Sequence, residues 1–130
     1  MAVLLDIVFD CARPAPLARF WAAVLDGYAV APYDDAERER LRSIGIDDPE
    51  DDPSVLVEAP PGAPRLWFQQ VPEPRVVKNR VHIDLGAPDS DAELGRLLEL
   101  GATVLQEHES LTVLADPEGN EFCLTRSADG

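Results

Sequence analysis

Two histidines, two cysteines and two tryptophans are the scarce reactive or recognition side chains of this 130-residue sequence, set among twenty-five Asp and Glu. A histidine can ligate a metal or carry a proton near neutral pH, a carboxylate can act as a base or hard ligand, and a thiol as a nucleophile or soft ligand. Their parity along apolar runs decides which of them could act together. In residues 80–85 Arg80, His82 and Asp84 alternate with Val81, Ile83 and Leu85, so the polar trio shares one face of a strand. The same parity sets Glu121 and Cys123 against Phe122 and Leu124, Trp67 and Gln69 against Leu66 and Phe68, and Asp6 and Val8 against Leu5, Ile7 and Phe9. A sheet covered by helices on one face presents the other to water or to a ligand, and this second face gathers a histidine, a tryptophan, three acids, an amide and a thiol.

The bland readings differ from residue to residue. His82 is either a pocket residue or a satisfied structural histidine, whereas His108, within Gln106-Glu107-His108-Glu109-Ser110, reads as solvent-exposed in a hairpin loop. Trp67 is as readily plain packing as a cap over a ligand. Cys123 is a poor nucleophile, because no histidine adjoins it in sequence and nearby acids would raise its pKa. Three carboxylates in one partly dry hollow (Asp6, Asp84 and Glu121) would repel one another, so something positive must offset them: a divalent ion, Arg80, Lys78, or a cationic organic ligand stacked on Trp67.

The elements that would position these groups follow from hydrophobic period and punctuation. Residues 3–9 alternate as a strand; Pro14 and Pro16 suit a helix's first turn, Leu17, Phe20, Trp21 and Val24 recur at helical spacing, and Gly27 can close it. Short strands are expected at 28–31, 54–58 and 65–71, the last two joined by the Pro60-Pro61-Gly62 turn. The order then repeats: a strand at 81–85, a helix opened by a Ser90/Glu93 capping box, lined by Leu94, Leu97 and Leu98 and ended by Gly101, then strands at 102–106, 111–115 and 121–125. Two β-α-β-β-β modules result, at about 1–71 and 79–126 of a single 1–130 domain. Residues 34–53 stand outside the repeat. Their nine acids and three arginines read as a solvated insertion, with a lid or cation-attracting rim as the functional alternative.

Composition narrows the partners. A charge of −14 repels phosphate backbones and anionic head groups, which argues against nucleic acid and membrane surfaces and leaves neutral or cationic small molecules. No apolar run reaches the roughly 18 residues of a spanning helix, and Asp6 interrupts the N-terminal apolar stretch, so a cytoplasmic globular protein is expected. Cys11 and Cys123 form no C-x-x-C pair and read as free thiols.

The paired modules, the run LDIVFDCARPAPLARFW at 5–21, NRVHIDL at 79–85 and DPEGNEF at 116–122 together resemble the vicinal oxygen chelate superfamily of glyoxalases, bleomycin-resistance proteins and extradiol dioxygenases. The resemblance implies an α+β fold whose two modules form a cupped, mostly antiparallel sheet around a cavity, and a homodimer. In metal-dependent members the first and fourth strands of each module supply ligands. Carried over by position, these fall on Asp6, near Gln69, on His82, and near Glu121 or Cys123. The usual glutamate position holds Cys123, and Glu121 points to the same side two residues earlier.

Two functions therefore remain open. The favoured one is a glyoxalase-like small-molecule-binding protein in which Trp67, Arg80, Asp84 and Cys123 line the ligand cavity and no metal is needed. The alternative is a lyase, isomerase or dioxygenase that holds one divalent ion, Mg, Mn, Fe, Ni or Zn, through Asp6, Gln69, His82 and Glu121. This oxygen-rich set would suit Mg²⁺, Mn²⁺ or Fe²⁺ over structural zinc, with Glu121 the catalytic base when it is displaced from the ion.

Overall fold

A computed structural model describes residues 1–126, which divide into two compact units, Met1–Pro74 and the remainder from Arg75. The first unit runs β1 (Asp6–Cys11), α1 (Pro14–Val24), β2 (Ala29–Val30), α2 (Asp35–Ser43), a single 3-10 turn (Pro49–Asp51), β3 (Ser54–Glu58) and β4 (Arg65–Gln70). The second runs β5 (Ile83–Leu85), α3 (Ser90–Leu100), β6 (Thr103–Glu107), β7 (Leu111–Ala115) and β8 (Glu121–Thr125). The repeated module is therefore present. Each copy owns a four-stranded sheet, in the orders β1-β4-β3-β2 and β5-β8-β7-β6. Both sheets are mixed: β1 with β4 and β5 with β8 pair parallel, and the other neighbours pair antiparallel. The parallel pairs follow from chain order, because the first strand of each module meets its last only after a helical crossover.

In the first unit α1 buries Leu17, Ala18, Phe20, Trp21 and Val24 against the sheet. Phe9 stacks on Phe68 at 5.0 Å between ring centroids and tilts against Trp21 at 5.6 Å, while Phe20 meets Trp21 edge-on at 5.3 Å. Phe20, Trp21 and Phe68, with Val55, Val57 and Leu66, are buried beneath one face of the sheet, and Phe9 is half-buried at its edge. Offset and edge-on ring pairs add about 0.5–1.5 kcal/mol each beyond the area they bury. In the second unit Leu97 of α3 is fully buried along with Leu114, Phe122 and Leu124.

Several local expectations are corrected. Leu5 (68% exposed) and Val81 (78%) do not join the core, because β1 begins at Asp6 and β5 at Ile83, and strand parity has no force before the strand starts. Leu98 is exposed, so α3 buries a narrower stripe than its leucines suggest. The cap of α3 is Asp89, whose carboxylate accepts a hydrogen bond from the Ala92 amide at 3.1 Å; Ser90 is the first helical residue and is buried. Gly101 ends that helix at φ 117°, a left-handed conformation open to glycine at little cost.

Candidate functional site

In the first unit, strand register defines the face opposite the aromatic core. Asp6 pairs with Arg65, Val8 with Trp67 and Asp10 with Gln69, while Leu56 and Ser54 of β3 flank Trp67 and Gln69 from the other side. Trp67 lies half-buried at its centre. Over this face closes a cavity of about 360 Å³, lined by Trp67, Leu56, Ser54, Tyr33, Glu37, Arg40 and Asp52 together with Ala31 and Pro32. That is within the range of small-molecule sites, which are mostly apolar with a few placed polar groups.

The acidic stretch supplies most of the polar wall. Asp34 caps α2 by accepting from the Glu37 amide at 2.9 Å, and Leu41, the one buried side chain of α2, anchors a helix that is otherwise charged. Glu37 lies one turn before Leu41 on the same side of α2, and Glu37 and its i+3 partner Arg40 both line the cavity. They pair with each other at 2.6 Å. Tyr33 donates its hydroxyl to Oδ2 of Asp52 at 2.7 Å, and Oδ1 of that carboxylate accepts from the Ser54 amide at 3.0 Å. Arg40 approaches Asp52 at 3.7 Å. Burial, followed by the bond to Asp52, holds the Tyr33 phenol well above the usual tyrosine range, so it is a donor at any ordinary pH. A bidentate Arg19–Glu50 pair, at 2.7 and 2.8 Å, ties α1 to the 3-10 turn just before Asp52.

Asp6 and Gln69 do not meet. The Asp6 carboxylate is held by Arg65 through bonds of 2.8 and 3.1 Å, and Gln69 stands at the level of Asp10, four residues along the strand and roughly 13 Å away. One ion cannot take both.

The second unit brings a different set together. His82 precedes β5, Asp84 lies in it two residues on, and Cys123 of β8 is the register partner of Asp84. His82 Nδ1 stands 3.3 Å from Asp84 Oδ1, and one ligand atom from each of His82, Asp84 and Cys123 lies within 4.8 Å of the others. The thiol is buried and its pKa is pushed up, first by burial and then by the Asp84 carboxylate, which accepts its hydrogen bond. His82 and Asp84 are exposed, so the cluster opens to solvent.

Glu121 sits on the same face but is already engaged. Arg75 donates to it at 2.6 Å and Lys78 at 3.0 Å, and the bond from Lys78 first of all holds its carboxyl below the usual glutamate range. A role as base or ligand would require both cations to withdraw. Arg80 is exposed just before β5. The D-P-x-G-N loop positions the start of β8: the buried Asp116 carboxylate accepts from the amides of Glu118 and Asn120 and from the Asn120 side chain, each at 2.9 Å.

Parity thus assigned the facing of Trp67, Asp84 and Cys123, with His82 brought beside Asp84 from just outside the strand, but it passed over Tyr33, Glu37, Arg40, Asp52, Ser54 and Leu56. The signal available for the α2 pair was Leu41, an isolated leucine in a charged helix whose burial fixes the inward face. Nothing local marks Asp52 among its acidic neighbours.

As a metal site the second-unit cluster is chemically coherent. An imidazole nitrogen, a carboxylate oxygen and a thiol sulfur are all zinc-type donors, and three protein ligands leave a fourth position for a water or substrate.

The glyoxalase-like domain family matches residues 6–125. No curated protein matches the sequence. Among solved structures, the fosfomycin resistance protein FosX of Mesorhizobium loti aligns with TM-score 0.64 and 14% identity over 98% of this chain and 94% of its own. A glyoxalase/bleomycin resistance protein/dioxygenase family enzyme from Burkholderia phytofirmans PsJN gives 0.64 and 16%, over 96% and 98%. A possible glyoxalase from Bacillus cereus gives 0.63 and 12%, over 96% and 99%. At such identities the likeness is one of fold.

Proposed function

Since the chain belongs to the glyoxalase-like domain family, we propose that it is a small-molecule-binding protein whose ligand lies on the open face of the first module's sheet, against Trp67. The observation that carries this reading is the cavity of about 360 Å³ whose apolar floor, Trp67 and Leu56, is bordered by fixed hydrogen-bonding groups. Glu37 and Asp52 contribute two negative charges there and Arg40 one positive. With the Tyr33 hydroxyl committed to Asp52, the wall favours a neutral or singly cationic ligand with a flat apolar part that can stack on the indole. An anion of the same shape would meet net repulsion.

The test is a thermal-shift panel of aromatic amines and aromatic carboxylates matched in size. A ligand present at 100 times its Kd adds about 2.7 kcal/mol of stability. Stabilisation by amines and not carboxylates, lost in Trp67→Ala, is the expected result. Equal stabilisation of wild type and Trp67→Ala, or none by either series, would contradict the reading.

A second reading, metal-assisted chemistry, draws on the second-unit cluster. His82, Asp84 and Cys123 would hold a divalent ion, which would supply Lewis-acid polarisation of a substrate oxygen. Glu121, fixed by Arg75 and Lys78, would remain an ionised neighbour on the same face.

A further inference from the structure

We infer that the Arg40 guanidinium is an internal stand-in for the ligand's cationic group, and that the cavity over Trp67 takes an aromatic amidine or guanidine whose forked cation displaces Arg40 from between Glu37 and Asp52. The inference rests on the binding-protein reading above and deepens it. It names the class of cation, the two carboxylates that receive it, and the residue of this chain that competes with it.

The protein's own arginine shows what the polar wall accepts. Arg40 donates from Nε to Oε2 of Glu37 at 2.6 Å, and one of its terminal nitrogens stands 3.7 Å from Oδ2 of Asp52, so a planar, forked cation already spans the two acids. All three side chains line the cavity above Trp67 and Leu56. A carboxylate can take such a fork through two parallel N–H···O bonds, a geometry that a compact ammonium lacks.

Arg40 leaves the Asp52 end of this site underused. Asp52 is 2% exposed, yet among the described residues no cation hydrogen-bonds to it. Its oxygens accept from the Tyr33 hydroxyl at 2.7 Å and the Ser54 amide at 3.0 Å, and Arg40 stops beyond hydrogen-bond range. Each carboxylate oxygen offers two lone-pair sites, so one on each remains for a donor entering the cavity. Arg40 is tethered to α2, whereas a ligand lying on Trp67 has no such restraint.

The arginine is also easily dislodged. Its side chain is 47% exposed, and its bond to Glu37 is an i,i+3 pair on a helix surface, a class that holds weakly in water. With Arg40 in place the wall carries one net negative charge; with Arg40 swung into solvent it carries two, and the repulsion between ligand and arginine is gone. Arg40 therefore lowers the affinity for a cation, and its removal raises it.

The experiment measures benzamidine, benzylamine and benzoate binding to the full-length protein by titration calorimetry, in wild type, Arg40→Met, Arg40→Lys, Trp67→Ala and the double variant Arg40→Met with Glu37→Gln. The expected result is one benzamidine per chain, bound more tightly than benzylamine, with benzoate unbound. Arg40→Met tightens benzamidine binding about tenfold, Arg40→Lys keeps the charge and leaves the affinity near the wild-type value, and adding Glu37→Gln to Arg40→Met reverses the gain. Arg40 and Glu37 lie at the surface of α2, so these variants leave the core untouched. An affinity unchanged or weakened in Arg40→Met, an equal gain in Arg40→Lys, or benzylamine bound as tightly as benzamidine would overturn the inference; with Trp67→Ala still abolishing binding, the binding-protein reading would stand. Benzamidine binding indifferent to Trp67→Ala, benzoate bound in preference to benzamidine, or binding of none of the three would overturn both.

Discussion

Asp52 shows how one side chain ties a charged insertion to a sheet. It is 2% exposed, and its two oxygens take the Tyr33 hydroxyl and the Ser54 amide, so it fixes the cavity's rim to the first residue of β3. The linked titration is that of Tyr33. Its folded-state pKa lies above the unfolded value of about 10, so the folded chain keeps a proton that the unfolded chain has lost, and stability falls as pH rises through that window. Urea denaturation in steps from pH 9 upward should show this decline, and Tyr33→Phe should flatten it relative to wild type. An identical pH dependence in the two proteins would mean that burial and Asp52 do not hold the phenol above its ordinary range. At this scale the sequence was legible where alternation operates: Trp67, Asp84 and Cys123 have the facing that parity assigned. It was silent on Tyr33 and Asp52, because their pairing spans a loop, a helix and a turn, and no periodicity links positions 33 and 52. Asp6 and Gln69 show the complementary limit. Parity puts both on the open face, but only the β1–β4 register reveals the four-residue offset that separates them.

Among the elements, α2 has the largest consequence for function and the weakest sequence signal. Seven charged or polar residues in nine would leave such a helix solvated; one buried leucine and an Asp34 cap dock it. Leu41→Ala should therefore cost about 2–5 kcal/mol in the local stability of this segment, seen as faster amide exchange across residues 35–43, and should release Glu37 and Arg40 from the cavity. Unchanged exchange would show that α2 is not held by Leu41. At α3 the capping prediction is sharper. Asp89→Ala removes the bond to the Ala92 amide and should lower unfolding free energy by about 1 kcal/mol. The sequence signature Ser90-x-x-Glu93 pointed one residue too far along, since Asp and Ser at successive positions are both good caps and only the backbone decides which is the last extended residue. Sheet pairing was likewise under-read. Strand positions followed from turns and alternation, whereas the parallel β1–β4 and β5–β8 pairs depend on how the chain returns after its crossover.

For the molecule as a whole, the doubled module and its α+β character were readable before any coordinates, because two rounds of strand, helix and three strands, separated by Pro- and Gly-rich turns, recur at similar spacing. Family membership agrees with that pattern over residues 6–125. What the repeat could not convey is that its two copies have diverged in chemistry: the first unit builds an aromatic-floored cavity from an insertion the second lacks, and the second gathers nitrogen, oxygen and sulfur donors the first lacks. The account's central claim is that the first unit's open face is where a small molecule binds. Amide chemical-shift mapping with a library of small aromatic amines tests it most directly. The account predicts perturbations centred on Ala31, Tyr33, Glu37, Ser54, Leu56 and Trp67; saturable perturbations confined to other surfaces, with these amides unmoved, would contradict it.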